Sequence, residues 1–539
     1  MTTAHPPAPP APPAPLAGAL PYDADFALDP PLALIQTRTR RLVLRWIWTS
    51  TAFLGIAGIL GLLLRLGQAE FISLDGNLWY AIMTAHGLGA FVAWAGFFLM
   101  GITWWVLLKC GFPIRSFILP ELTYWTMVIG VLGIVVTTLL GGFGGSWVFL
   151  YPLAFHSSGQ WSDLVTGVFS ASVLIAGVSI LAYCAGVLHT VISPALKAEK
   201  DTLGQRIGLA FGFGLLWPSR FKTKRGVEPY PVLPLAVNAL DMFLATLPFA
   251  LLLVFQIIQS VDSGFSINTL LAGNLLWAFG HPVVYLLLFP AAATYYYLIP
   301  RYAGRPLVAG RAVAVSWLIA LTFNLFVWAH HLYLNYPDGN NVQETLGTIM
   351  QPTTYALVLP SAMSLFSLAA TIWRSNFQWN VASKFLIAGV VSWLVAGLQG
   401  VINATSAFQD TLHNTLWVVG HFHNMAFLNM GLLIFGAMYA FLPELTGRPH
   451  FNERLGSWHL WGTLIGAYGW VACQMWQGLD GAPRRWARLP DTYMGLTRLS
   501  LVFLAILVIA QIIFLVNLYT TLRRSPFDDP SVRSGSATN

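Results

Sequence analysis

Long apolar runs follow one another from about residue 42 to about residue 522, and they constrain this chain more than any other feature. A bilayer crossing needs about 20 consecutive apolar residues. About twelve runs qualify, at 43–66, 78–108, 118–141, 162–193, 234–260, 268–299, 311–335, 348–373, 383–404, 413–443, 456–477 and 497–521. A backbone inside lipid must satisfy its own hydrogen bonds, and runs of this length do so as helices. The expected fold is all-α: a polytopic membrane helical bundle of about twelve transmembrane helices. Composition supports this. Of 539 residues, 9% are charged and 56% are hydrophobic, against about 25% charged in soluble domains. A soluble enzyme and a disordered chain are both excluded. The 22 Trp and 35 Phe suit a lipid-facing surface with aromatic belts.

Residues 1–41 read as a Pro/Ala-rich cytoplasmic tail, whose first 34 residues lack the cationic region followed by an apolar region of a secretory leader. Residues 42–522 read as one transmembrane domain, and 523–539 as a polar C-terminal tail. No period of 20–50 residues marks a repeat architecture. Lys and Arg cluster in alternate loops, including Arg38–Arg45, Lys197–Arg225, Arg301–Arg311 and Arg523–Arg524. By the positive-inside rule that face is cytoplasmic, and so are both termini. Arg65, Arg484, Arg485, Arg488 and Arg498 fall on the other face. The adjacent pair Arg484–Arg485 breaks the pattern most clearly and needs a reason. Cys110, Cys184 and Cys473 are far apart, so neither a thiolate metal centre nor a disulfide framework is expected.

Ionisable side chains inside a membrane are costly and mark function. No acidic residue is read as buried at mid-membrane. Histidines are another matter. His86, His281, His330, His331, His421 and His423 all fall in the outer half of the bilayer, on four different runs. His421 and His423 are two apart and so point about 200° apart on one helix; one helix then serves two planar cofactors. His330 and His331, about 100° apart, suit two ligands of one small ion. His281 and Tyr285 share a helix face. Imidazole ligates both copper and haem iron. A single membrane histidine is as often a hydrogen-bonded packing residue, and His156, His189, His450 and His459 are read that way. Six at one depth are read as a metal layer.

The stretches Trp277–Tyr285 (WAFGHPVVY), Ala329–His331 (AHH) and Val419–His423 (VGHFH) resemble subunit I of the haem–copper oxygen reductases, over nearly the whole apolar region. The resemblance implies that His86 and His423 are the axial ligands of a low-spin haem. It implies His421 as the proximal ligand of a high-spin haem, and His281, His330 and His331 as the ligands of one copper ion, copper B. Tyr285 corresponds to the tyrosine that, in the family, is covalently linked to the copper-ligating histidine one turn away. Val283 stands where the A family has Glu. The C family carries its tyrosine on another helix, and nitric oxide reductases typically have Glu at position 285. Tyr285 with Val283, and the stretch Asn403–His423 (NATSAFQDTLHNTLWVVGHFH), resemble the B family, a cytochrome c oxidase type.

Reducing oxygen takes protons through a region without bulk water. Tyr296 lies about three turns beyond Tyr285 on the same face, and Ser361, Ser364 and Ser367 recur every three residues on another run. These positions match the K-like proton path of the B family. The family tyrosine is replaced by Ala292, with Thr294 or Tyr295 left to bridge the gap. Membrane serines also bond to their own backbone, so a purely packing role stands beside this one. Arg484 and Arg485 resemble the family's arginine pair and are expected to bind anionic haem propionates. His413 and Asp410 lie near the same edge as candidates for a proton-loading site.

The resemblance implies a respiratory terminal oxidase that reduces O2 to water, coupled to proton uptake and pumping. It implies a bacterial or archaeal inner (plasma) membrane location. With no copper A or CxxCH motif in the chain, electrons must come through a subunit II or other donor subunit carrying copper A or haem c, from cytochrome c, a cupredoxin or quinol. Lipid is the surrounding partner and no nucleic-acid partner is expected. The rivals are a nitric oxide reductase on the same scaffold, a membrane metal or solute transporter, and an electron-carrying cytochrome b subunit. The transporter predicts broken helices and inverted repeats, which the sequence does not display. The cytochrome b reading leaves His281, His330 and His331 without a task.

Overall fold

A computed structural model describes residues 30–194, 201–218, 220–221, 227–333 and 341–524. Residues 1–29 and 525–539 of the two expected tails lie outside these, as do Lys197, Lys200, Lys222, Lys224 and Arg225 of the largest basic loop. The described residues are almost wholly helical, apart from one isolated bridge between Thr415 and Pro483.

Twelve long helices carry the fold. They are α1 Pro30–Gln68, α2 Gly76–Lys109, α3 Ile118–Leu140, α4 Asp163–Ile192, α5 Pro229–Val261, α6 Thr269–Ala303, α7 Gly310–Leu332, α8 Thr348–Ile372, α9 Val381–Ala404, α10 Leu416–Thr446, α11 Glu453–Leu479 and α12 Asp491–Arg523. Eleven are long and apolar enough to cross a membrane. The exception is α11. Its 27 residues reach about 40 Å at 1.5 Å each, ample for a bilayer. Five glycines, Gln474, Gln477 and His459 dilute its apolar content. The first helix begins at Pro30 rather than near residue 42, so the end of the expected N-terminal tail is helical. The chain is a multi-pass membrane protein.

Helices consecutive in sequence pack side by side, most extensively α3 with α4, α4 with α5, and α11 with α12. The lipid face is legible on α3. Ile118, Leu122, Trp125, Ile129, Leu132 and Val136 recur every three or four residues and are all exposed, which is the stripe a bilayer covers.

α3 ends in a π-helical stretch at Val136–Leu140, and in three other helices a departure from regular geometry lies next to a histidine. α2 passes into a π-helical stretch at Gly89–Gly96, shortly after His86. α10 does the same at Asn424–Gly431, directly after His423. α6 breaks at His281, because Pro282 has no amide hydrogen to continue the ladder and starts a new helix at its first position. Single-turn π segments occur preferentially at functional sites.

Candidate metal centres

His86 of α2 and His423 of α10 face each other, with ring centroids 6.4 Å apart. The Nδ1 of His86 is 2.9 Å from the Ala57 carbonyl oxygen, and that of His423 is 2.9 Å from the Val419 carbonyl oxygen. With Nδ1–H donating to a carbonyl, Nε2 keeps its lone pair, which is the ligand form. Two metal–nitrogen bonds of about 2 Å each plus the near halves of both rings fill this gap, so one iron between two imidazoles fits. α1 makes room for it. A Cβ on Gly61 would come within 2.7 Å of His86 Cε1, so only glycine lets α1 approach this ring.

His421 precedes His423 by two residues and so leaves α10 on nearly the opposite side. Its Nδ1 is 3.4 Å from Gln399 Oε1 of α9, and Asn424 Nδ2 donates to the same oxygen at 3.0 Å. A Cβ on Gly400 would lie 3.7 Å from His421 Cε1, ordinary contact.

The third group is tighter. His281 Nδ1 is 3.2 Å from His331 Nε2 and 3.0 Å from His330 Nε2. One ligand atom from each of the three residues lies within 4.8 Å of the others. Three buried nitrogens aimed at one point suit a copper ion. The kink at Pro282 sets His281. Beyond Val327 the end of α7 tightens into i to i+3 turns, with His331 N bonded to Trp328 O. That leaves the adjacent rings at 79° to each other. Two contacts outside the motif hold them: Trp277 stacks on His331 at 3.9 Å, and Thr354 Oγ1 of α8 is 2.8 Å from His330 Nδ1.

Tyr285 sits one turn below His281, ring centroids 5.0 Å apart. The remaining ring nitrogen of His281, Nε2, is buried with no hydrogen-bond partner. A small cavity begins at Tyr285 and is also lined by Phe289, Trp317, Ser361, Ser364 and Trp393. Tyr296 Oη donates to Ser364 Oγ at 2.6 Å, while Trp317 Nε1 donates to Tyr296 Oη at 3.2 Å. Ser364 in turn bonds back to the Pro360 carbonyl at 2.6 Å, and Ser367 bonds to Val308 O. Neither residue expected to bridge the gap at Ala292 enters this cavity. Thr294 donates to the Pro290 carbonyl of its own helix, and Tyr295 turns to Asn429 of α10.

At the histidine end of the bundle the loop after α11 is strapped to the start of α10. Leu416 N bonds Ala482 O at 2.8 Å, and Arg484 N bonds Asn414 O at 2.9 Å. Arg484 and Arg485 are half-buried, and no acid pairs with either among the described residues. Burial, then the neighbouring Arg485, brings the Arg484 guanidinium down to about 10, and burial lowers that of Arg485. His413 stands beside them. Burial first, then Arg484 and Arg485, lowers its imidazole to about 4. A desolvated rim of this kind is an anion site without its anion's charge supplied by the chain. His413 pairs with Gln409, one turn back on the short helix Ser406–Leu412, whereas Asp410 is exposed and turned away.

Three features went unread in the sequence. Gln399 and Thr354 reach ligands from other helices, so no spacing rule reveals them. Arg65, 3% exposed, donates only to neutral oxygens of Ser500, Gln68 and Gln477, at 2.7–3.0 Å. The expectation of no acid buried at mid-membrane is corrected by Asp241 of α5, which is fully buried. An Asp about twelve residues into an apolar helix was visible; its neighbours on three other helices were not.

Comparison with known proteins agrees with this geometry. The chain is 27% identical over 520 residues to a probable cytochrome c oxidase subunit 1-beta of Nocardia farcinica, covering 92% of this chain and 81% of that one. It is 30% identical to cytochrome c oxidase polypeptide 1 of Halobacterium salinarum over 253 residues, 47% of this chain and 42% of the relative. A cryo-EM structure of a heme-copper terminal oxidase dimer superposes with a TM-score of 0.71 at 20% identity, over 90% of this chain and 84% of that one. Residues 41–513 match the family described as Cytochrome C and Quinol oxidase polypeptide I, and the chain belongs to that family.

Proposed function

We propose that the chain is the catalytic subunit of a B-type terminal oxidase in which Tyr285 and a Tyr296–serine row serve the reaction from the cytoplasmic side. As a subunit I of this family the chain is an oxidoreductase that works with two haems and one copper, beside other subunits and electron donors. The three imidazole sets suit these groups: His86 and His423 for the low-spin haem, His421 for the high-spin haem, and His281, His330 and His331 for copper. When bound, the metals carry electrons to O2 and complete the oxygen site.

The chain's own residues do the rest. Tyr285 holds a proton on its phenol oxygen one turn from the copper ligands, and supplies it with an electron as the O–O bond breaks. Its partnerless neighbour, His281 Nε2, is the atom open to the covalent link of the family. The cavity joins Tyr285 to Ser361 and Ser364, and Tyr296 hands on to Ser364; Ser367 continues the row toward the cytoplasm. Arg484 and Arg485 hold haem propionates, with His413 beside them as the proton-loading group and Asp410 at its exposed margin. Residues 42–522 act as one domain with both ends cytoplasmic, in a bacterial or archaeal inner membrane. Electrons enter from a subunit carrying copper A or haem c, supplied by cytochrome c, a cupredoxin or quinol.

The observation that carries this reading is the cavity running from Tyr285, beside three convergent imidazoles, to the hydroxyl row. A nitric oxide reductase would use the same six histidines, but Tyr at 285 provides the electron and proton that oxygen needs. Tyr285→Phe is therefore expected to keep both haems and copper yet lose oxygen reduction by about a hundredfold, with a much smaller effect on nitric oxide reduction. Steady-state turnover with each gas tests this. Oxygen turnover at the wild-type rate would remove both the tyrosine's role and the proton row built on it.

A further inference from the structure

The π stretches of α2 and α10 are built alike. Each is eight residues long, Gly89–Gly96 and Asn424–Gly431, and begins just beyond a proposed haem ligand. In each, the residue that follows, Phe97 or Leu432, directs its amide to the carbonyl five residues back, Val92 or Phe427, and to the one three back, Trp94 or Asn429. Trp94 and Asn429 thus hold the same place, where the ladder returns to α-helical register, and their i to i+3 bonds have poorer geometry than α-helical ones. A hydroxyl from another helix adds a second bond to each carbonyl. Ser50 Oγ of α1 donates to Trp94 O at 2.7 Å. Tyr295 Oη of α6 donates to Asn429 O at 3.3 Å and to Asn429 Oδ1 at 3.1 Å. Ser50 and Tyr295 are both buried. Gly389 of α9 admits the second contact, since a Cβ there would collide with Tyr295 Oη. The two π stretches also touch each other, with the Trp94 and Phe427 rings 5.6 Å apart. The third π stretch, at the end of α3, follows no proposed ligand. There the hydroxyls of Thr137 and Thr138 bond within their own helix, to the carbonyls of Gly133 and Ile134 at 2.8 and 2.7 Å.

A π stretch carries one residue more than the α-helix around it, so moving its end by one residue turns everything before it by about 100°. The bonds that fix that end therefore fix the direction of a ligand upstream. Trp94 is eight residues beyond His86 and Asn429 six beyond His423, about 12 and 9 Å along their helices. We propose that Ser50 and Tyr295 are positioning residues of the low-spin haem site, whose hydroxyls hold the ends of the two π stretches and so set the angle between the His86 and His423 rings. That angle is 35° here. Neither hydroxyl touches a ligand; each acts through the backbone of the helix that carries one. Tyr295 also ties α10 to α6, the helix of His281 and Tyr285, so the proposed haem and copper ligands share one strut.

This rests on His86 and His423 ligating one haem, and the experiment separates the two ideas. In the purified oxidised holo-complex, the electron paramagnetic resonance signal of the low-spin haem reports the angle between its two imidazole planes. Tyr295→Phe and Ser50→Ala are each expected to shift the g values of that signal, with both haems and copper still bound. Ser50→Thr, which keeps the hydroxyl, should return the wild-type signal. Ser179→Ala is the control for loss of a buried hydroxyl as such. Ser179 Oγ of α4 is equally buried and donates to Thr123 O of α3 at 2.6 Å, between helices that carry no proposed ligand. Its loss should lower the melting temperature and leave the g values alone. If Tyr295→Phe does not assemble, the two Ser50 variants decide. The proposal is overturned by unchanged g values in either hydroxyl-deleted variant that assembles, by an equal shift in Ser179→Ala, or by a shift that Ser50→Thr does not reverse. A wild-type complex with no low-spin signal overturns the ligand pair itself, and this inference with it.

Discussion

Three of the six proposed ligand imidazoles meet, at Nδ1, a group that a different helix supplies, whereas His423 bonds within its own helix. Thr354 meets the Nδ1 of His330, the Ala57 carbonyl meets that of His86, and Gln399 lies against that of His421. Such outer contacts fix the ring orientation and the tautomer, and changing one typically costs about 10–100-fold in metal affinity. The proposed ligand sets also fall on separate elements: His281, His330 and His331 on α6 and α7, His86 and His423 on α2 and α10. Losing one set should spare the other. His330→Ala or His331→Ala is expected to remove copper while the low-spin haem keeps its optical band, read by metal analysis and absorption spectra on one preparation. Copper retained with the low-spin band lost would mean that the sets are wrongly divided.

At the scale of the helix, hydropathy and length made the spans legible, because lipid allows few other structures. Even α11, poor in aliphatic residues, could be read from the sequence, since it is long and nearly free of charge. The six histidines were legible for the same reason: in an apolar run each one stands out, and spacing alone sets their directions. The π segments were not. Gly89–Gly96 and Asn424–Gly431 are apolar, helix-compatible sequences whose extra residue is absorbed only because neighbouring helices fix both ends. Gly478 shows the same dependence on a partner. Its bare Cα lies against the Trp417 backbone, where any Cβ would collide, and this sets α11 close beside the His421–His423 turn. Removing the extra residue tests whether the π turn serves the site. Deleting Val92 should return α2 to α-helical register and turn His86 about 100° relative to the half of α2 beyond it. The expected result is loss of the low-spin haem band with copper retained, in a complex that still assembles. An unchanged haem spectrum would show that the π segment is incidental to the ligand.

Across the whole molecule the two ends carry different burdens. The histidine end carries the proposed metal ligands, and the basic end holds helices in register so that Tyr296 meets Ser364. Two arginines of α6 and the loop after it do much of that. Arg301 donates to both carboxylate oxygens of Glu228, at 2.9 and 3.4 Å, just ahead of α5. Arg305 donates to the carbonyls of Ala370, Thr371 and Trp373 at the end of α8. The Arg301–Glu228 pair is mostly buried, with side chains 11% and 18% exposed. Breaking one partner of a buried pair costs about 3 kcal/mol, since a charge is left unpaired. Yet Arg301 is 20 residues beyond His281, about 30 Å along the helix, so the metal layer should not sense its loss directly. Arg301→Met is therefore expected to lower the melting temperature of the holo-complex and to slow oxygen reduction, because the end of α6, which carries Tyr296, loses its anchor to the segment ahead of α5. Both haem bands and the copper content should remain as in the wild type. If the haem spectra changed as much as the melting temperature, the two ends would not be independent, and a division of labour between a metal layer and a proton-delivering half would be wrong.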